Sequence, residues 1–175
     1  MADWTAQLRS LIEPCVRHSA AVADVRIGAG VVAETGAVAR RLAPQPRALV
    51  MADAAGFAAA GEAVVAALQG AGFEVERLVK AADPLPAASV EEAEPFRAAL
   101  AADAGLLPVA VGSGVINDLV KYASFATDRR YIAVATAASM DGYTSAGAPL
   151  AKGGFKVTIP TRAPIAMLAD LDVIA

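Results

Sequence analysis

The feature that most constrains this chain is its rhythm: short β-branched and aliphatic runs alternate with alanine-rich stretches at helical spacing, from the first residues to about residue 136. Strands separated by helices cannot close as tight hairpins; they pair in parallel, with the helices packed on the faces of the sheet. The expected fold is therefore α/β, a Rossmann-like parallel sheet flanked by helices. At 175 residues one such domain accounts for the whole chain, and no repeat or low-complexity linker divides it.

The expected order begins with an opening helix over 5–19, a short strand at Val25–Ile27 and a helix from Gly30 to Leu42. A strand over 48–53 ends in Asp53, and Phe57, Val64, Val65 and Leu68 fall at near-helical spacing before the Gly70-Ala71-Gly72 stop. Further strands are expected at Phe73–Val79, Leu107–Val111, Ile132–Thr136 and Ile165–Leu168. Between them lie a helix from Ser89 to Ala102, with Glu91, Glu92 and Glu94 near its N-terminus, and an amphipathic helix from Val115 to Phe125. In the latter, Ile116, Leu119, Val120 and Ala123 form the apolar stripe, and Asn117, Asp118 and Lys121 lie off it. Residues 149–160 carry a Gly153-Gly154 pair between strand-like runs and read as a β-hairpin.

Composition excludes several classes of function. A net charge of −3 without a Lys/Arg block gives no footprint for nucleic acid. The mean hydropathy of +0.50 owes much to alanine, and charges, Pro or Gly break each apolar run before the ~18 residues a membrane span needs. The opening Met1-Ala2-Asp3-Trp4-Thr5 lacks the basic and apolar regions of a signal peptide, and a single Cys15 can form no internal disulfide, so a reducing, cytoplasmic location is expected. Cys15 and His18, the sole cysteine and histidine, fall at i, i+3. Two ligands make no zinc site, and the plainer expectation is a small buried thiol beside a surface imidazole.

A parallel sheet of this kind binds ligands beyond the carboxyl ends of its strands, which directs attention to three loops. Gly28-Ala29-Gly30-Val31-Val32-Ala33 matches G-x-G-x-x-A, with Asp53 where a ribose-binding carboxylate belongs. It reads either as a dinucleotide fingerprint or as a turn with no ligand. The second loop, Gly112-Ser113-Gly114-Val115-Ile116-Asn117-Asp118, also joins a strand to a helix, so its amides can meet a pyrophosphate; an unliganded helix cap is the alternative. The third, Thr136-Ala137-Ala138-Ser139-Met140-Asp141-Gly142-Tyr143-Thr144-Ser145, sets five hydroxyls and a carboxylate just past a buried strand. Asp141 there can hold substrate hydroxyls and Ser139, Thr144 or Ser145 can donate to cofactor oxygens, or the segment is an ordinary Asx or Ser/Thr turn.

The runs G-S-G-V-I-N-D-L-V-K-Y (Gly112–Tyr122) and T-A-A-S-M-D-G-Y-T-S, with A-D-L-D-V-I near the end, resemble the sn-glycerol-1-phosphate dehydrogenase family. That family lies in the iron-containing alcohol dehydrogenase and dehydroquinate synthase-like superfamily, and the resemblance extends from about Val25 onward. It implies that Gly112 to Asp118 cradle the pyrophosphate of NAD or NADP and that the Gly28 loop is structural. It further implies that Asp53 meets the adenosine ribose, that Thr136, Ala137, Ala138, Ser139 and Ser145 line the nicotinamide side, and that Asp141 touches substrate. The implied reaction reduces dihydroxyacetone phosphate to sn-glycerol 1-phosphate, for polar lipid synthesis, with zinc or another divalent metal polarising the ketone.

The sequence departs from that pattern in one respect. Family members continue into a helical domain whose Asp and two His hold the metal, and neither His18 nor Asp170 nor Asp172 matches those ligands. The chain is accordingly expected to be an N-terminal cofactor-binding domain with no metal ligands of its own and negligible turnover alone. A non-catalytic nucleotide-binding module and a structural domain, self-associating as a homo-oligomer through its apolar face, are the other two classes in play. Lys121, Lys152 and Lys156 are candidates for a triose phosphate, with solvated surface lysines as the plainer reading.

Overall fold

The computed structural model describes residues 4–43 and 45–175. It begins with α1 (Trp4–Arg17) and β1 (Asp24–Gly28), followed by a 3₁₀ turn Val31–Glu34 that leads into α2 (Thr35–Leu42). Next come β2 (Arg47–Asp53) and a short α3 (Ala54–Gly56), which passes through a π-helical stretch Phe57–Gly61 into α4 (Glu62–Gly70). The alternation continues through β3 (Glu74–Lys80), α5 (Val90–Ala102), β4 (Leu107–Gly112), α6 (Gly114–Ala126) and β5 (Ile132–Ala135). The antiparallel strands β6 (Gly147–Lys152) and β7 (Phe155–Pro160), then β8 (Ala166–Asp170) and α7 (Leu171–Ile174), complete it.

Six strands form one all-parallel sheet in the order β1-β8-β5-β4-β2-β3. The inner strands are buried on both faces, as their continuous Leu-Val-Met-Ala, Val-Ala-Val and Ile-Ala-Val-Ala runs require. One core layer joins Val38, Val64, Val65 and Leu68 to Val50, Val109 and Val134. The opposite layer joins Phe96, Leu100, Ile116, Leu119 and Val120 to Met51, Ala110 and Ala133, with Ala148 and Leu150 of β6 closing its side. Helices cover both faces, which is the three-layer α/β arrangement expected from the rhythm.

Three boundaries differ from the sequence expectation in ways that matter. The hairpin begins at Gly147 rather than 149; its turn is the Gly153-Gly154 pair, whose φ values of 57° and 83° suit the primed turns that only glycine enters freely. The helix expected from Gly30 is delayed: Gly30 takes φ 71°, a 3₁₀ turn follows, and α2 starts at Thr35. The last strand runs on to Asp170 rather than stopping at Leu168, which carries that carboxylate to the end of β8.

Candidate functional site

Strand order reverses between β2 and β4: the chain leaves β2 toward β3 on one side, then returns to build β4, β5 and β8 on the other. Such a reversal opens a crevice beyond the carboxyl ends of the two strands, here between Asp53 and Gly112. The two ends approach closely because Gly56 has no side chain. A Cβ there would lie 2.7 Å from Val111 O and 2.9 Å from Gly112 Cα. Asp53 is half-buried and caps α3, its Oδ1 accepting from Gly56 N at 2.7 Å.

The second wall of the crevice is the start of α6. Ser113 is extended, with φ −78° and ψ −169°, the backbone of an N-cap, yet its side chain makes no capping bond. This distinguishes it from Ser89, whose Oγ accepts from Glu92 N at 3.1 Å to cap α5. Ser113, Gly114 and Val115 are partly exposed, and among the described residues no side chain bonds the first amides of this 13-residue helix. The loop is close-packed behind: a Cβ on Gly112 would lie 2.6 Å from that of Ile116, and one on Gly114 would meet Met140 Sδ at 2.7 Å.

Asn117 and Asp118, expected beside the pyrophosphate, are turned inward. Asn117 is 1% exposed; Tyr131 donates to its Oδ1 at 3.1 Å, and its Nδ2 is enclosed without a protein partner. Asp118 lies 3.4 Å from Lys121, and burial pushes the Asp118 carboxyl above its ordinary range and the Lys121 ammonium below its own. Lys121 is also a correction, since it is buried rather than a solvated surface lysine. Its face of α6, polar in sequence, is covered by the loop after β5 and by β6.

That loop supplies the third wall. Thr136 N donates to Gly112 O at 3.2 Å, and the buried Tyr143 hydroxyl donates to Ala137 O at 3.0 Å, which ties Thr136 and Ala137 to the glycine loop. Burial raises the Tyr143 pKa, so the phenol keeps its proton. Ala138, Ser139, Asp141 and Ser145 are exposed along the rim. The Ser145 hydroxyl lies 3.1 Å from Lys121 Nζ and 2.9 Å from Gly142 O, so it is already engaged within the loop.

The earlier glycine loop meets a different fate. Gly30 N and Val32 N both donate to the Asp170 carboxylate, each at 2.9 Å, and Asp170 is 2% exposed. The fingerprint-like amides are thus satisfied by the chain itself. No sequence signal announced this partner, 140 residues away, beyond an acid ending a short apolar run. Cys15 is exposed rather than buried, and His18 is exposed too, its Nδ1 2.7 Å from Pro14 O. Among the described residues no three His, Cys, Asp or Glu cluster as a metal site, and no helix is long and apolar enough to cross a membrane.

A family model described as iron-containing alcohol dehydrogenase matches residues 26–175. The chain is 40% identical over 124 residues to a glycerol-1-phosphate dehydrogenase [NAD(P)+] of Halalkalibacterium halodurans, 70% of this chain and 31% of that protein. It is 38% identical over 148 residues to the protein of the same name from Methanothrix thermoacetophila, 85% of this chain and 40% of that one. The chain therefore spans roughly a third to two fifths of the length of these curated relatives. Among solved structures, the glycerol dehydrogenase of Schizosaccharomyces pombe superimposes with a TM-score of 0.74 at 23% identity, over 88% of this chain and 38% of that one. The NADH-dependent butanol dehydrogenase A of Thermotoga maritima does so with a TM-score of 0.74 at 12% identity, over 84% and 42%. These likenesses establish the fold.

Proposed function

The chain belongs to the iron-containing alcohol dehydrogenase family, and on that premise we propose that it is the nicotinamide-dinucleotide-binding part of a glycerol-1-phosphate dehydrogenase. The observation that carries this reading is the uncapped start of α6 at the strand-order reversal. A helix N-terminus with free amides, a partial positive charge and no Cβ at Gly114 matches what a pyrophosphate requires. The two curated relatives described above are named for NAD(P)+ and glycerol 1-phosphate, which supports the reaction class: hydride transfer between the dinucleotide and the dihydroxyacetone phosphate/sn-glycerol 1-phosphate pair, in polar lipid synthesis.

In this reading the bound dinucleotide supplies the hydride, and the residues of this chain bind and orient it. The amides of Gly112 to Ile116 and the Ser113 hydroxyl hold the pyrophosphate. Asn117 and Asp118 work from behind, fixing the first turn of α6 through Tyr131 and Lys121. Gly56 takes Oδ1 of Asp53, which leaves Oδ2 as the acceptor for an adenosine ribose hydroxyl. Its negative charge disfavours a 2′-phosphate, so NADH binds more tightly than NADPH. Thr136 to Ser139, with Ser145, line the nicotinamide half, and Asp141 meets the substrate from the rim.

The described residues bring together no ligand set that fits the divalent metal the family name implies. Of the carboxylates at the strand ends, Asp53 is engaged by Gly56 and Asp170 by Gly30 and Val32, and among the described residues no three His, Cys, Asp or Glu come together around Asp141 or elsewhere.

The test is a fluorescence titration of the chain with NADH and NADPH, repeated on Gly114→Val. The nearest atoms to a Cβ at Gly114 belong to the Met140 side chain rather than to backbone, and Met140 can move, so the variant should fold while its side chain blocks approach to the amides. Saturable NADH binding that weakens at least tenfold in the variant supports the reading. No saturable binding by the folded parent, or equal affinity in both, overturns it.

A further inference from the structure

Lys121 has no exposed surface, and the packing of α6 does not demand a charge there. An ammonium carries three N–H donors. The structure meets them with three acceptors at ordinary distances: Gly142 O at 3.0 Å, Ser145 Oγ at 3.1 Å and Gly147 O at 3.1 Å. Asp118 at 3.4 Å compensates the charge. All three acceptors belong to one stretch of chain, the one that begins just after Asp141. Removing an ammonium from water is costly, and an aliphatic side chain would fill the same space without that cost. The lysine is therefore spent on the shape of the loop.

The loop is held at a second point by Tyr143, which reaches Ala137 O. Ser139 and Asp141 lie exposed on the same loop, ahead of both fastenings. Lys121 also sits on the helix whose first turn faces the proposed pyrophosphate position, seven residues from Gly114.

We propose that Lys121 is a positioning residue: it fastens residues 142–147 to α6 and so sets the height of Ser139 and Asp141 over the nicotinamide half of the dinucleotide. This rests on the cofactor reading above. It separates the two halves of the ligand, because ADP meets only the α6 amides and the Asp53 side, whereas NADH also needs the 136–145 rim.

The experiment compares the parent chain with Lys121→Met, which keeps the length of the side chain and removes its donors. Amide hydrogen exchange of 142–147 should accelerate at least tenfold in the variant, with β2 and β4 amides as protected as in the parent. NADH affinity should fall at least fivefold while ADP affinity changes less than twofold. Unchanged exchange at 142–147, or equal losses for NADH and ADP, overturns the proposal. Should Lys121→Met not fold, Lys121→Gln, shorter by one atom and uncharged, keeps a polar amide on α6 and leaves the loop's own bonds intact; faster exchange confined to 142–147 supports the tether, and parental rates refute it. If the parent binds no NADH, the cofactor reading fails by itself, and the exchange data still decide whether Lys121 holds the loop.

Discussion

Two glycine loops stand at the carboxyl end of the same sheet, and the chain uses them in opposite ways. After β1, Gly28-Ala29-Gly30 turns the backbone so that the Gly30 and Val32 amides converge, and the Asp170 carboxylate occupies them at 2.9 Å. After β4, Gly112-Ser113-Gly114 makes a comparable strand-to-helix turn, but no side chain caps the helix it opens. Glycine spacing therefore says that a backbone can present its amides; what fills them is decided elsewhere in the fold. The first loop is a structural clasp between the two neighbouring strands β1 and β8, and the second is left open at the point where strand order reverses.

Removing the clasp should produce the largest effect. Asp170→Ala leaves three amides, those of Gly30, Val32 and Asp172, without their charged acceptor, the Val32 one buried, and hydrogen bonds to charged groups contribute about 1.5–3 kcal/mol each. We expect a loss of about 3 kcal/mol, measured from the urea midpoint, with NADH affinity of the folded chain unchanged. A loss below about 1 kcal/mol would mean that water replaces the carboxylate readily and that the first loop is as open as the second.

The converse change gives the open loop a carboxylate of its own. Ser113 already has N-cap backbone angles, so Ser113→Asp can accept from the Val115 or Ile116 amide as Asp170 does from Gly30 and Val32. The variant should gain about 0.5–1 kcal/mol of stability from the cap and the helix dipole. It should also bind NADH more than tenfold less well, a penalty above about 1.4 kcal/mol, because the carboxylate occupies the amides and repels the pyrophosphate. A stabilised variant with parental affinity would place the dinucleotide elsewhere.

This contrast also marks how far the sequence could be read. The rhythm of apolar runs was sufficient for the parallel sheet, since Leu49–Ala52, Val109–Val111 and Ile132–Ala135 are apolar on both faces and fit only inner strands. The motif around Gly112 located the open helix. The occupant of the first loop was illegible, because Asp170 reaches it only through the pairing of β1 with β8, and strand order is not written in local sequence. Lys121 was misjudged for a related reason. Helical periodicity places it on a polar face, but that face is roofed by residues 142–147 and β6, whose position depends on the whole sheet. Cys15 erred the other way: α1 packs chiefly on β1, so a residue expected to be buried faces solvent.

The smallest effect discriminates most finely, because it compares two serines in the same nominal role. Ser89 and Ser113 both precede a helix with extended backbone, but only Ser89 bonds the third amide, with Glu92 at the position a capping box prescribes. Ser89→Ala should cost about 1 kcal/mol. Ser113→Ala should cost nothing measurable in stability, since no cap is lost, yet weaken NADH about threefold by removing one modest hydrogen bond to the pyrophosphate. Thermal melts and NADH titrations of the two variants side by side decide the matter. Equal destabilisation would show that Ser113 caps α6 in solution, and its amides would then be competed for before any ligand arrives. Weakened NADH at unchanged stability would show that the hydroxyl is held back for the ligand, which is the difference between a helix start that closes a fold and one that is kept for use.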